Sequence, residues 1–202
     1  MELYVLDLTP LSGREEEALR RLSPERREKA LRLRGAPRLR SVGGGLLLRR
    51  FVGGGPFVYG AAGKPSTPGG PCFSLSHSAD LAVLAVDAAP VGADAERIAP
   101  VRAAVLPRVL SEEERSWMAP DPERRFAWLW TRKEAVLKWS GHGVTRPMRT
   151  VAVLPGAVTS LDGAVCRVHT EEYRGYMISA ASAGEARFTP VEVPLADLLE
   201  GE

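Results

Sequence analysis

The sequence predicts an α+β fold made of two similar α/β halves related by a pseudo-twofold, each a small sheet with packed helices. Three observations lead there. Short apolar segments that read as strands alternate with helical segments along the chain. Leu22-Ser23-Pro24-Glu25-Arg26-Arg27 is echoed by Leu110-Ser111-Glu112-Glu113-Glu114-Arg115, and each opens a helical stretch after a strand. The 202 residues, 45% hydrophobic, suffice for one large domain or two small ones with a real core. The join falls near residue 88, giving residues 1–88 and 89–202 as two halves of one compact unit. Two ordinary helix N-caps would produce the same echo, so it is one argument among three.

Tyr4 to Leu8 alternates and reads as a strand. Ser23-Pro24-Glu25 opens a helix, with Ser as N-cap and Pro at the first helical position, running to about Arg34. Gly35-Ala36-Pro37 breaks it, and a second helix is expected from about Arg38 to Phe51. That helix contains Gly43-Gly44-Gly45, each glycine costing roughly 1 kcal/mol relative to alanine. Gly53 to Gly70 is dense in Gly and Pro and reads as a loop. Phe73–Ser78, Asp80–Asp87 and Val91–Glu96 read as strands. Ser111 with Glu114 three residues on forms a capping box. A long helix is expected over Pro122 to about Ser140, followed by strands at Val151–Leu154, Ala164–Thr170 and Tyr176–Ala180.

The chemistry concentrates in two segments. In Val91-Gly92-Ala93-Asp94-Ala95-Glu96 the two carboxylates share one face of a strand. Side by side they repel, and a strand tolerates them when they are solvated or when a cation lies between them. In Trp130-Thr131-Arg132-Lys133-Glu134-Ala135-Val136-Leu137-Lys138, Glu134 edges an apolar stripe of Phe126, Trp130 and Leu137, with Lys138 one turn beyond. An ordinary i,i+4 pair explains Glu134 and Lys138 equally well. It does not explain Lys133, which lies nearer the middle of the stripe and must either snorkel or meet a buried acid. Three acids that can converge beside a lysine suit a hard divalent metal held against a polyphosphate. A lone histidine such as His77 is more often structural, yet its flanking serines and the Gly63-Lys64-Pro65 loop make a phosphate contact reasonable. The arginine-rich helix is either a solvated face or an anion grip.

Bulk properties narrow the classes. A net charge of +2 makes any attraction for phosphate local. Cys72 and Cys166 form neither a zinc-ligand spacing nor a disulfide framework. The start of the chain carries acids and no basic leader, and the longest apolar runs are too short to span a membrane. A soluble cytoplasmic protein is expected.

Gly63-Lys64-Pro65, Phe73-Ser74-Leu75-Ser76-His77-Ser78, Val91 to Glu96 and Trp130 to Lys138 occur in this order with fitting gaps. In this the chain resembles the 4'-phosphopantetheinyl transferases of the monomeric, surfactin-synthetase-activating (Sfp) type. The resemblance extends from about residue 20 to residue 155, including Ser23 to Lys29 and Gly141-His142-Gly143. Three positions depart from the family pattern. Ser74 replaces an asparagine, Ala93 and Ala95 replace larger aliphatics, and His142 stands where lysine is common.

The resemblance implies transfer of the phosphopantetheine arm of coenzyme A to a serine of an acyl or peptidyl carrier protein, releasing adenosine 3',5'-bisphosphate. It implies Mg²⁺, with Mn²⁺ as an alternative, on Asp94, Glu96 and Glu134, and Glu134 or a water it holds as the base. Lys138 would lie on the phosphates. Arg26, Lys29, Arg40, Gly63, Lys64, Pro65, Ser76 and His77, with Asp94 and Lys138, would contact coenzyme A in a cleft between the halves. Glu114 and Lys133 are auxiliary. A monomer that binds neither nucleic acid nor membrane is expected. Two other classes compete. A Mg²⁺-dependent phosphohydrolase or nuclease would use the same acids without Lys64 or the serine-histidine motif. An RNA-binding module would use the arginine helix, but the basic residues lack interleaved aromatics.

Overall fold

A computed structural model describes residues 1–60, 62–141 and 146–200; His142 lies outside them. The chain folds as four layers, helices outside and two four-stranded sheets inside. The first sheet has the order β10-β1-β5-β4, from β1 (Glu2–Asp7), β4 (Cys72–Ser78), β5 (Leu81–Asp87) and β10 (Pro190–Glu192). The second has the order β6-β9-β8-β7, from β6 (Val91–Arg97), β7 (Thr159–Leu161), β8 (Ala164–Tyr173) and β9 (Tyr176–Ser182). The mixed α/β architecture of small sheets and packed helices is as expected from the sequence.

Strand alternation builds the layers. Leu3, Val5, Val83 and Ala85 point inward from the first sheet and meet Val91, Ala93, Ala95, Ile178 and Ala180 from the second. Ala93 and Ala95 are fully buried in this inter-sheet core, so small side chains here let the sheets approach. The opposite face of the first sheet, with Leu6, Ala82 and Leu84, packs on helix α3 (Gly35–Phe51). Helix α1 (Glu15–Arg20) and helix α2 (Pro24–Leu31) join that layer. The glycine triplet in α3 faces into it. A Cβ on Gly43 would lie 2.2 Å from Leu8, and on Gly44 or Gly45 it would lie 2.8 Å from Leu75 or Leu22. Close packing of backbone against leucines therefore offsets the helix-propensity cost of these glycines.

The two sheets meet at the edges of β4 and β6, and there side chains replace a backbone ladder. Ser74 Oγ accepts from the Ala93 N–H at 2.9 Å and donates to the Ala93 carbonyl at 3.4 Å. Ser78 Oγ accepts from the Arg97 N–H at 3.1 Å. Alternate serines on one side of β4 thus satisfy edge groups of β6 that a neighbouring strand would otherwise pair.

Several expectations are corrected. Val151–Leu154 is not a strand. Lys133 Nζ donates to the carbonyls of Met148 (3.0 Å) and Val151 (2.6 Å), and Arg132 Nε donates to that of Val153 (3.1 Å). Cations of a helix satisfy this segment while Val151 and Val153 fill the core. The Gly53–Gly70 loop contains a short hairpin, β2 (Val58–Tyr59) with β3 (Pro65–Ser66). Helix α3 starts at Gly35 and not Arg38, and Ser23 makes no side-chain cap bond. After β9 the chain returns to the first sheet. Strand β10 pairs in parallel with β1, and helix α7 (Leu195–Glu200) buries Leu195, Leu198 and Leu199 in the α3 core. Helix α4 (Leu106–Val109), helix α5 (Glu112–Met118) and helix α6 (Pro122–Ser140) complete the chain.

Candidate active site

The site begins with a glycine. Gly92, Asp94 and Glu96 are alternate residues of β6, on the face opposite Ala93 and Ala95, which turns toward α6. A Cβ on Gly92 would lie 2.0 Å from the Ala135 carbonyl oxygen and 2.3 Å from the Trp139 nitrogen. Without a side chain there, the C-terminal part of α6 touches the strand directly. Gly141 ends the helix in the left-handed region, φ 75°.

That contact joins Lys138 to Asp94. Asp94 is 5% exposed, and its Oδ1 accepts from Lys138 Nζ and from Ser76 Oγ, both at 2.6 Å. Among the described residues its Oδ2 is buried without a hydrogen-bond partner. Burial, and next the charge of Asp94, push the carboxyl pKa values of Glu96 and Glu134 above the ordinary range. Asp94 therefore acts electrostatically on both, and all three predicted acids belong to one neighbourhood. Among the described residues no three His, Cys, Asp or Glu side chains already close into a metal cage. The donor set nevertheless fits a hard divalent cation. It is all oxygen, it includes an orphaned buried acceptor, and its negative charge is only partly offset.

A cavity of about 450 Å³ opens on the other side of Lys138. Its cationic lining comes from Arg26 and Lys29 of α2, Arg40 of α3, Lys64 of the hairpin, and Lys138. Gly63, Pro65 and His77 also line it, with Leu33, Pro37, Phe73, Leu75 and Leu137 as apolar wall. Burial, with smaller effects from Arg40 and Lys138, pulls the His77 pKa below that of ordinary imidazole. Arg26 Nε and Ser41 Oγ are buried there without hydrogen-bond partners among the described residues.

The predicted residues thus fall into two groups that share Lys138. Arg26, Lys29, Arg40, Gly63, Lys64, Pro65 and His77 line the cavity; Asp94, Glu96 and Glu134 lie outside its lining. Ser76 does not line it either. Strand alternation turns His77 to the cavity and Ser76 to Asp94, so Ser76 supports an acid. Glu114 and Lys133 do not line the cavity. Lys133 is fully buried and pairs with Glu114 at 2.8 Å, while Glu114 also closes the Ser111 capping box. Sequence reasoning missed Tyr59 and Ser41 on the cavity wall. The Tyr59 hydroxyl donates to Glu25 at 3.0 Å, and an aromatic in a Gly/Pro-rich stretch was the one available clue.

Residues 90–180 match the model of the 4'-phosphopantetheinyl transferase superfamily. Over 170 residues the chain is 31% identical to 4'-phosphopantetheinyl transferase Sfp of Bacillus subtilis (strain 168), covering 76% of each chain. The chain belongs to the 4'-phosphopantetheinyl transferase family. It is also 37% identical over 135 residues to the transferase AcpT of Salmonella typhi, covering 62% of this chain and 70% of that protein. A shorter match, 43% identical over 77 residues, is to psf-1 of Bacillus pumilus and spans 36% of this chain and 33% of that transferase. The span matched by the superfamily holds Asp94, Glu96, Glu134 and Lys138, so the acid neighbourhood is the part of the site that the family model covers. Among the described residues no helix is long and apolar enough to cross a membrane.

Proposed function

We propose that the protein transfers the 4'-phosphopantetheine arm of coenzyme A to a serine of an apo acyl or peptidyl carrier protein, releasing adenosine 3',5'-bisphosphate. The observation that carries this reading is Lys138, which lines a cation-walled cavity and also binds the buried acid Asp94. A nucleotide with its phosphates seated in the cavity would have its pyrophosphate beside Lys138 and the acids.

Arg26, Lys29, Arg40 and His77 supply the anion grip, with Gly63, Lys64 and Pro65 as wall. Asp94, Glu96 and Glu134 would hold Mg²⁺, which when bound neutralises charge on the pyrophosphate. Glu134, whose carboxyl pKa is raised, or a water it holds, takes the proton of the carrier serine. The serine oxygen bonds to the β-phosphorus, and the bond from that phosphorus to the bridging oxygen breaks. Lys138 stabilises the oxygen that leaves with the bisphosphate. Residues 1–88 grip the nucleotide and residues 89–202 carry the acids, with the site where they meet. We read the two sheets, each backed by a long helix, as related by a pseudo-twofold, and the enzyme as a cytoplasmic monomer.

The test is intact-mass spectrometry of an apo carrier protein incubated with the enzyme, coenzyme A and Mg²⁺. The expected gain is about 340 Da, one phosphopantetheine arm, and it disappears with EDTA. No gain across several acyl and peptidyl carriers, together with no binding of coenzyme A by calorimetry, would refute the reading.

A further inference from the structure

Lys64 lines the cavity, yet its ammonium is committed elsewhere. Its Nζ donates to the carbonyl of Val91 at 2.8 Å and to the carbonyl of Lys138 at 2.6 Å. Val91 begins β6 and Lys138 lies in the last turn of α6. One side chain from the N-terminal hairpin therefore bridges the two elements where they cross, next to the Gly92 contact. We infer that Lys64 is a positioning residue, a latch that holds the last turn of α6, and with it Lys138, on the strand that carries Asp94.

The physics of helix ends supports this. Carbonyls in the last turn lack intrahelical partners and form the negative end of the helix dipole. Among the described residues the other donor to the Lys138 carbonyl is the Gly141 N–H at 3.3 Å, a long bond. An ammonium at 2.6 Å is the stronger partner. The hairpin is shaped to deliver it. The Gly60 N–H donates to the Lys64 carbonyl, the Gly63 N–H donates to the Gly60 carbonyl, and Gly63 takes φ +78°, a conformation that favours glycine. A lysine serving only to grip phosphate would keep its protons for the cavity. Two of the three on Lys64 go to main-chain oxygens.

Hydrogen exchange of the ligand-free protein tests the latch without reference to catalysis. In Lys64→Met the amides of residues 137–141 should exchange about tenfold faster, with α3 unchanged. Unchanged protection at the end of α6 would overturn the proposal. Should Lys64→Met lose protection throughout, Lys64→Gln, which keeps an amide donor, carries the same comparison.

The kinetic arm rests on the proposed transfer. Lys64→Met should lower kcat about tenfold while the KM for coenzyme A stays within about twofold. A tenfold rise in KM at unchanged kcat would make Lys64 a phosphate grip and not a latch. In a Lys138→Met background, the further change Lys64→Met should cost no additional activity, because its effect passes through Lys138. An undiminished additional loss would overturn that route. If the wild-type protein transfers nothing, the proposed function fails, and the exchange measurement still decides the latch.

Discussion

Helix α6 carries two lysines, each paired with a carboxylate from another element, and the two pairs differ in completeness. Lys133 is fully buried and spends its protons on Glu114, the Met148 carbonyl and the Val151 carbonyl. Glu114 is satisfied in turn by the Ser111 N–H. Lys138 is partly exposed and, among the described residues, pairs with Asp94, whose second oxygen is buried and has no hydrogen-bond partner among them. Glu96 and Glu134 add two carboxylates whose ionisation burial and the charge of Asp94 oppose. The same chemistry thus serves once as a closed staple and once as an open site. Satisfied polar groups hold a fold together; unsatisfied ones are kept for a ligand.

The largest expected effect breaks the open pair. Asp94→Ala or Glu134→Ala should reduce transfer about a thousandfold or more, with the circular dichroism spectrum unchanged. Near-wild-type turnover at saturating Mg²⁺ would end the metal assignment. Breaking the closed pair should act on stability instead. Lys133→Met alone leaves the Glu114 carboxylate buried without its cation and should cost about 3–5 kcal/mol in denaturant unfolding. Adding Glu114→Leu should recover much of that loss, and a double variant as unstable as the single one would contradict the account.

Gly92→Ala lies between these cases, because it pushes α6 off the strand that both its neighbours need. A loss of about 1–3 kcal/mol with a fall in kcat is expected, and an alanine variant with wild-type melting and activity would show that the crossing is slack.

The smallest effect is a gain. Glu96 and Glu134 have raised carboxyl pKa values, so the folded state resists their ionisation. Stability therefore falls as pH rises from the ordinary carboxyl range through the raised values, and is regained as pH falls. Glu96→Gln or Glu134→Gln should raise the metal-free stability at neutral pH by roughly 1 kcal/mol or less, since both groups are partly screened. Thermal melts in EDTA that show a decrease would argue against charge repulsion at this site.

Local patterns that need no partner were legible. Helix α6 runs Pro122–Ser140 as its Pro start and Gly141 stop require, and the Ser111–Glu114 capping box is present with both bonds. Asp94 and Glu96 share a face because a strand alternates. Lys133 in an apolar stripe must either snorkel or meet a buried acid, and the structure supplies the acid, Glu114. What failed were segments whose backbone bonds go to distant side chains. Val151–Leu154 has the composition of a strand, but Lys133 and Arg132 take its carbonyls. Ser76 was grouped with His77 because they adjoin in sequence, and strand geometry sends them to opposite sides.

The sequence by itself determined the family motifs, the α/β class and the acid and lysine inventory, because periodicity and residue chemistry act over a few residues. Only the tertiary structure decided that Lys133 closes a buried staple with Glu114 and that Lys138 lies between Asp94 and the cavity. It also decided that β10 and α7 return to the first sheet, and that Lys64 bonds main-chain oxygens of α6 and β6. Those outcomes depend on which donors and acceptors meet across 15 to 187 residues of chain, a matter of packing that no local pattern encodes.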